Sequence, residues 1–89
     1  ILYIEASGSY CTFYLQAGAK ATVAYTLTDT MQHLSKDLFI RVHRSYIVNL
    51  RKISEISRLR IIFDKNTYIP VGDNYKERFT EFISKLSFS

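Results

Sequence analysis

Phe39-Ile40-Arg41-Val42-His43-Arg44-Ser45-Tyr46-Ile47-Val48-Asn49 holds two strand-like runs, Phe39 to Val42 and Tyr46 to Leu50, on either side of His43, Arg44 and Ser45. β-branched and aromatic side chains suit a pleated, half-buried surface better than a helix. The rest of the chain repeats that bias, with seven Tyr, six Phe, no Trp and many Ile and Val, so the expectation is a β-rich fold. With 89 residues there is room for one domain, and a core that small must use nearly every apolar face on offer.

Working outward toward the N-terminus, Lys20 to Tyr25 reads as a strand, preceded by a turn over Gln16 to Ala19. Tyr10 to Leu15 and Leu2 to Glu5 form a hairpin around Ala6, Ser7, Gly8 and Ser9. Cys11, Phe13 and Leu15 alternate with Tyr10, Thr12 and Tyr14, which puts Cys11 on the buried face as a small core hydrophobe rather than a redox group or ligand. Between the third strand and Phe39, Leu27, Met31 and Leu34 fall at helical spacing, and Thr26 with Asp29 forms a capping box, so a short helix is expected there. Toward the C-terminus, Ile53 to Ser57, Leu59 to Phe63 and Thr67 to Val71 read as short strands of a meander, with Asp64-Lys65-Asn66 as a hairpin turn. Pro70 lacks a ladder donor and belongs at an edge or a strand end. Asn74 and Glu77 make a second capping box, and Tyr75, Phe79, Phe82, Ile83 and Leu86 give the last helix one apolar face.

Charge is unevenly placed. Arg41, Arg44, Arg51, Lys52, Arg58 and Arg60 stand against Glu55 alone, a local balance of 6 − 1 = +5, while the remainder is 6 − 7 = −1. Such a block suits a phosphate-facing surface, although a solvated strand face would carry it too. Catalysis by a nucleophile and base, or metal binding, needs Ser, Cys, His or carboxylates converging at local spacing, and none is visible; His33 reads as a surface or partly buried helix residue. No Gly-rich phosphate loop is present, so no enzyme activity, cofactor or metal is expected. A single Cys asks for no oxidising compartment, and no apolar run approaches the roughly 20 residues of a membrane span, so a cytoplasmic location with no membrane partner is expected. A strand-like start without Met reads as an internal start within a longer protein.

The central segment quoted above resembles the hallmark of the LytTR DNA-binding family of bacterial response regulators. Tyr3-Ile4-Glu5-Ala6 with Gly8 and Tyr10 is similar to that family's opening hairpin, Leu27 to Leu34 to its small helix, and Ile69-Pro70-Val71 with Tyr75-Lys76 to its closing motif. The resemblance therefore covers nearly the whole chain, residues 1–89, in order. It implies a mainly β fold: an elongated stack of small antiparallel sheets with a short helix after the third strand and a C-terminal helix. It also implies that loops, rather than a recognition helix, enter the major groove of double-stranded DNA at paired direct-repeat promoter sites and bend it. The domain would follow a receiver domain in the same chain and act as a dimer on DNA, where the first contact raises the effective concentration for the second.

Three loops carry the expected contacts: Ser7 to Tyr10, including Ser9 and Tyr10; the segment around His43 and Arg44; and the turn before the last helix. Arg44 leads, because a guanidinium can fork onto guanine or clamp a phosphate, against the alternative of an internal salt bridge. Arg41 and His43 either face DNA or brace the loop by donating to backbone carbonyls, and Asn49 satisfies backbone groups at a strand end. Arg51, Lys52, Arg58 and Arg60 would attract phosphate. Many relatives place a basic residue near Gly72 or Asp73, whereas this chain has Gly72-Asp73-Asn74. Asp73 then reads a cytosine amino group, turns away, or caps the helix, and capping is favoured; Asn74 competes for the cap or meets an adenine edge. Two rival uses remain: an RNA-binding or ribosome-associated domain with Tyr10 and Tyr14 as stacking platforms, and protein binding along strand edges. Steep salt dependence would separate nucleic-acid binding from an apolar protein interface.

Overall fold

Ile4 and Ile47 are cross-strand neighbours with no exposed surface, at the centre of the larger of two sheets. The structure, a computed structural model, describes residues 1–87, with side chains to residue 85. Its strands are β1 (Tyr3–Ser7), β2 (Tyr10–Tyr14), β3 (Lys20–Val23), β4 (Phe39–His43), β5 (Tyr46–Asn49), β6 (Glu55–Ser57), β7 (Arg60–Asp64) and β8 (Thr67–Pro70). Helix α1 (Leu27–Gln32) lies between β3 and β4, and α2 (Lys76–Ser87) closes the chain. The larger sheet is antiparallel in the order β3-β2-β1-β5-β4, and the smaller runs β6-β7-β8. This is the mainly β architecture expected, with helices where the sequence places them, and it measures 36 × 26 × 23 Å.

The larger sheet is buried on both faces because its strands carry apolar residues at both parities. One face sets Ile4, Cys11, Phe39 and Ile47 against Leu27 of α1, with Met31 and Leu34 alongside. The other sets Ile40, Val42 and Val48 against Ile61, Phe63 and Ile69 of the second sheet, Val71 just past its last strand, and Phe79 of α2. Each fully buried aliphatic side chain contributes roughly 1.5–3 kcal/mol, so the two clusters supply most of the driving force available to so short a chain. Cys11 is wholly buried, as expected, and its thiol donates to the Tyr25 carbonyl at 2.9 Å. Thr26 caps α1, accepting from the Asp29 N–H at 3.1 Å. Pro70 ends β8, an outer strand of its sheet, where no donor is missed.

Several boundaries differ from the sequence reading. β3 stops at Val23, because the chain must leave the sheet for α1, and Tyr25 is exposed. The first turn is only Gly8-Ser9, with Ser7 opposite Tyr10 and Gly8 at φ 62°, a left-handed conformation that glycine adopts without strain. Leu50 to Lys52 form a 3-10 turn rather than the end of a strand, and β6 begins at Glu55. Leu59 does not open β7: Arg58 (φ 49°) and Leu59 (φ 63°) form a two-residue turn between Ser57 and Arg60. The capping box at Asn74 and Glu77 does not form, since Asp73–Tyr75 make a 3-10 turn entered from Gly72 without a side-chain cap, and α2 starts at Lys76. Phe79, Phe82 and Ile83 of the expected apolar face pack on the core, and the expectation for the Leu86 side chain lies outside the described residues.

Candidate nucleic-acid interface

The antiparallel pairing of β1 with β5 puts the β1–β2 turn beside the β4–β5 turn, and the Ala6 N–H donates to the Ser45 carbonyl at 2.8 Å. The loop after β8 joins them, because the Gly72 N–H donates to the Val42 carbonyl at 2.8 Å. A Cβ on Gly72 would lie 3.3 Å from the Tyr75 ring and 3.4 Å from the His43 ring, so glycine lets this loop close onto the end of β4. The β6–β7 turn reaches the same end, with the Leu59 carbonyl accepting from the Val71 N–H at 2.9 Å. Residues 7–10, 43–45, 58–59 and 72–74, far apart in sequence, thus share one end of the molecule. A hollow of about 180 Å³ opens there between His43, Arg44, Gly72, Asp73, Asn74 and Tyr75.

At this end Ser9, Tyr10, Arg44, Asp73 and Asn74 are exposed, and Tyr10 retains 55% of its surface. Arg44 meets no carboxylate among the described residues, so the internal salt bridge considered for it is not made. Arg41 is a brace. Its guanidinium donates to the Arg44 carbonyl at 2.6 Å, the Thr28 hydroxyl at 3.3 Å and the His43 carbonyl at 3.4 Å, tying the turn to the start of α1. His43 also braces, but not as the sequence suggested: Nδ1 accepts from the Ser45 N–H at 3.1 Å instead of donating to a carbonyl. Its ring packs against Tyr46, with centroids 5.3 Å apart.

Asp73 does not cap a helix. Its carboxylate accepts from the Lys76 ammonium at 2.8 Å, and that hydrogen bond and charge hold its pKa below the usual value. Asn74 makes no cap either and remains exposed in the loop. Asn49 behaves as expected: its amide donates to the Ile1 carbonyl at 2.7 Å and its oxygen accepts from the Arg51 N–H at 3.0 Å.

The basic residues divide between the two ends. Arg44 and Arg58 stand at the loop end, and Arg60 follows the β6–β7 turn with its guanidinium 5.2 Å from the centroid of the Tyr68 ring. Arg51 and Lys52 lie past the other end of β5, where Asn49 pairs with Ile1; at about 3.3 Å per strand residue that is well over 10 Å from Ser45. They do not join the loop cluster.

Below the loops, Glu5 accepts from two part-buried phenols on the sheet face that also carries Val48: Tyr14 at 3.0 Å and Tyr46 at 2.9 Å. Burial, then the Glu5 hydrogen bond and charge, push Tyr46 up to about 12. The Glu5 hydrogen bond, then burial, raises Tyr14 as well. Tyr3 stacks on Tyr14 at 4.5 Å, and these contacts tie β1, β2 and β5 together beneath the turns.

Residues 1–84 match the family model for the LytTr DNA-binding domain. The chain belongs to the LytTR family. It superposes on the LytTr DNA-binding domain of a protein from Bacillus cereus, described as a methyl-accepting/DNA response regulator, with a TM-score of 0.82 and 28% identity over 93% of this chain and 80% of that one. The Sensory transduction protein LytT of Enterococcus faecalis is 38% identical over 61 residues, 63% of this chain. The protein of the same name from Bacillus subtilis is 35% identical over 69 residues, 67% of this chain. The chain spans 25% and 29% of these two relatives. As a LytTR domain it is a DNA-binding module of response-regulator type, a family that is not one of enzymes. Among the described residues no helix is long and apolar enough to cross a membrane, and no cluster of His, Cys, Asp or Glu could hold a metal ion.

Some of this interface was missed in the sequence. Lys76 stands three residues after Asp73, a spacing that could have revealed their pairing on a helical turn. The meeting of Thr28 with Arg41 had no local signal, because 13 residues separate them.

Proposed function

We propose that the loop end lies in the major groove of double-stranded DNA and makes this LytTR domain the output domain of a two-component transcriptional response regulator in the cytoplasm. The observation that carries this reading is the exposed Arg44 guanidinium, without a carboxylate partner among the described residues, on a turn whose backbone Arg41 and His43 hold in place. A cation held by a rigid support loses little freedom on binding, and a guanidinium can fork onto guanine O6 and N7. Ser9 and Tyr10 flank it from the first turn, Asn74 offers an amide for an adenine edge, and Arg58 adds phosphate attraction from the neighbouring turn. Arg51 and Lys52 act at longer range, through the field that draws the duplex in, and Arg41 and His43 act by positioning the turn.

In this reading residues 1–89 form a single DNA-binding domain that follows a receiver domain in a longer chain. Two copies occupy direct-repeat promoter sites, with dimerisation of the receiver supplying the second copy at high effective concentration. Selection of bound duplexes from a random pool tests it. Recovery of a repeated motif, with binding that falls steeply with salt, is the expected result. Enrichment of no sequence at all, or tighter binding to single-stranded RNA than to any recovered duplex, would overturn it.

A further inference from the structure

On the side of the molecule flanked by α1 and α2 runs an open groove of about 440 Å³. Met31, Phe39, Ile40 and Phe82 line it, and Lys36, Arg41 and Arg78 supply its charge. Among the described residues no acid lines it. Glu77 and Glu81 of α2 line a different surface, a shallow groove shared with Lys76 and Lys85, so Arg78 is the charged α2 residue at the first groove and both acids lie away from it. Lys36 and Arg78 pair with no carboxylate among the described residues. The groove also follows β4, the last strand of the larger sheet, whose outer edge has no strand beside it.

We propose that this groove docks an acidic segment of a partner protein, one or two of whose large apolar side chains seat on Met31, Phe39 and Phe82 while flanking carboxylates pair with Lys36 and Arg78. An apolar floor rewards desolvation of a side chain, which a phosphate backbone does not offer, and unpaired cations at the rim select carboxylates and speed encounter. Those two features together favour a peptide over DNA as the occupant.

Selection of random 12-residue peptides displayed on phage against the immobilised 89-residue chain tests the proposal. The enriched peptides should carry Asp or Glu around one or two large apolar residues. Their affinity should fall about tenfold or more in the Lys36→Gln, Arg78→Gln double variant and in Gln32→Trp, whose indole would fill the groove from an exposed position. Thermal unfolding checks that both variants remain folded. Duplex affinity of both should stay within about threefold of the parent. Three outcomes overturn the proposal: selected peptides without acidic and apolar bias, or none; binding unchanged in both variants; or a loss of duplex affinity in the double variant as large as that of Arg44→Ala, which would assign the cations to DNA phosphate.

Discussion

The Arg41 guanidinium reaches past the end of its own strand to the Arg44 carbonyl, 2.6 Å away. One arginine therefore fixes the backbone from which the other projects. The two cations, close in sequence and alike in chemistry, have different work, and substitution separates them. Arg41→Lys keeps the charge but cannot fork across the Thr28 hydroxyl and two carbonyls. It should weaken DNA binding while leaving the slope of log affinity against log salt unchanged, and lower the unfolding free energy by about 1 kcal/mol. Duplex affinity equal to that of the parent would remove Arg41 from its bracing role.

Arg44→Ala should behave otherwise. If the side chain reads a base, affinity for the selected duplex falls and the preference at one base pair relaxes by ~1–3 kcal/mol, while binding to scrambled duplex changes far less. Measured at matched salt, an equal loss on both duplexes would assign Arg44 to phosphate.

Asp73 places an exposed carboxylate at the loop end and engages the Lys76 ammonium there. Replacing it with Asn removes repulsion from phosphate and releases Lys76 toward the duplex. Affinity at low salt should rise by roughly two- to fivefold, and the gain should shrink as salt is added. A fall in affinity on the selected duplex would show instead that the carboxylate reads a base.

Arg58 occupies the left-handed region at φ 49°, where a side chain is strained. Asparagine tolerates that conformation, so Arg58→Asn should raise stability by about 0.5–1 kcal/mol in denaturant unfolding. The same change removes a cation from the loop end, and the salt slope of DNA binding should drop by about 1. Gain in stability with loss in affinity is the signature to look for. A variant that binds DNA with an unaltered slope would place Arg58 away from phosphate.

Tyr46 favours its neutral form in the folded protein, since burial and the Glu5 carboxylate raise it from 10.0 to about 12. The associated stability is fully present below pH 10 and is lost as pH rises through about 12, because the unfolded chain releases the phenolic proton first. Urea unfolding between pH 8 and pH 12 should show this decline, and Tyr46→Phe should make it shallower. Tyr3 and Tyr14, also raised, keep part of it in the variant. Parallel declines in the two proteins would exclude Tyr46 as the source.

Where local chemistry decides a conformation, the sequence was legible. Alternation placed Cys11 in the core, Thr26 marked the start of α1, and the missing donor of Pro70 marked an outer strand. The Arg58-Leu59 turn was not legible, because a turn of that shape is signalled by Asn-Gly or Asp-Gly and this chain uses neither. Asp73 and Asn74 both look like caps in a one-dimensional reading, yet the 3-10 turn they enter and the Lys76 ammonium leave them elsewhere. Arg51 and Lys52 seemed to belong with Arg44 because they follow it closely, but a strand carries them to the far end of the sheet. Nearness along the chain is a poor guide to nearness in space once a strand intervenes.

Val71 and Gly72 are held by backbone bonds to Leu59 in one case and Val42 in the other, so a two-residue span joins the smaller sheet to the larger. No excised loop peptide could reproduce the surface assembled around that span. Its parts come from both halves of the polypeptide and acquire their mutual positions only when the two layers close on each other. Recognition should therefore vanish together with cooperative unfolding, and partial truncation should leave no fragment with graded residual binding.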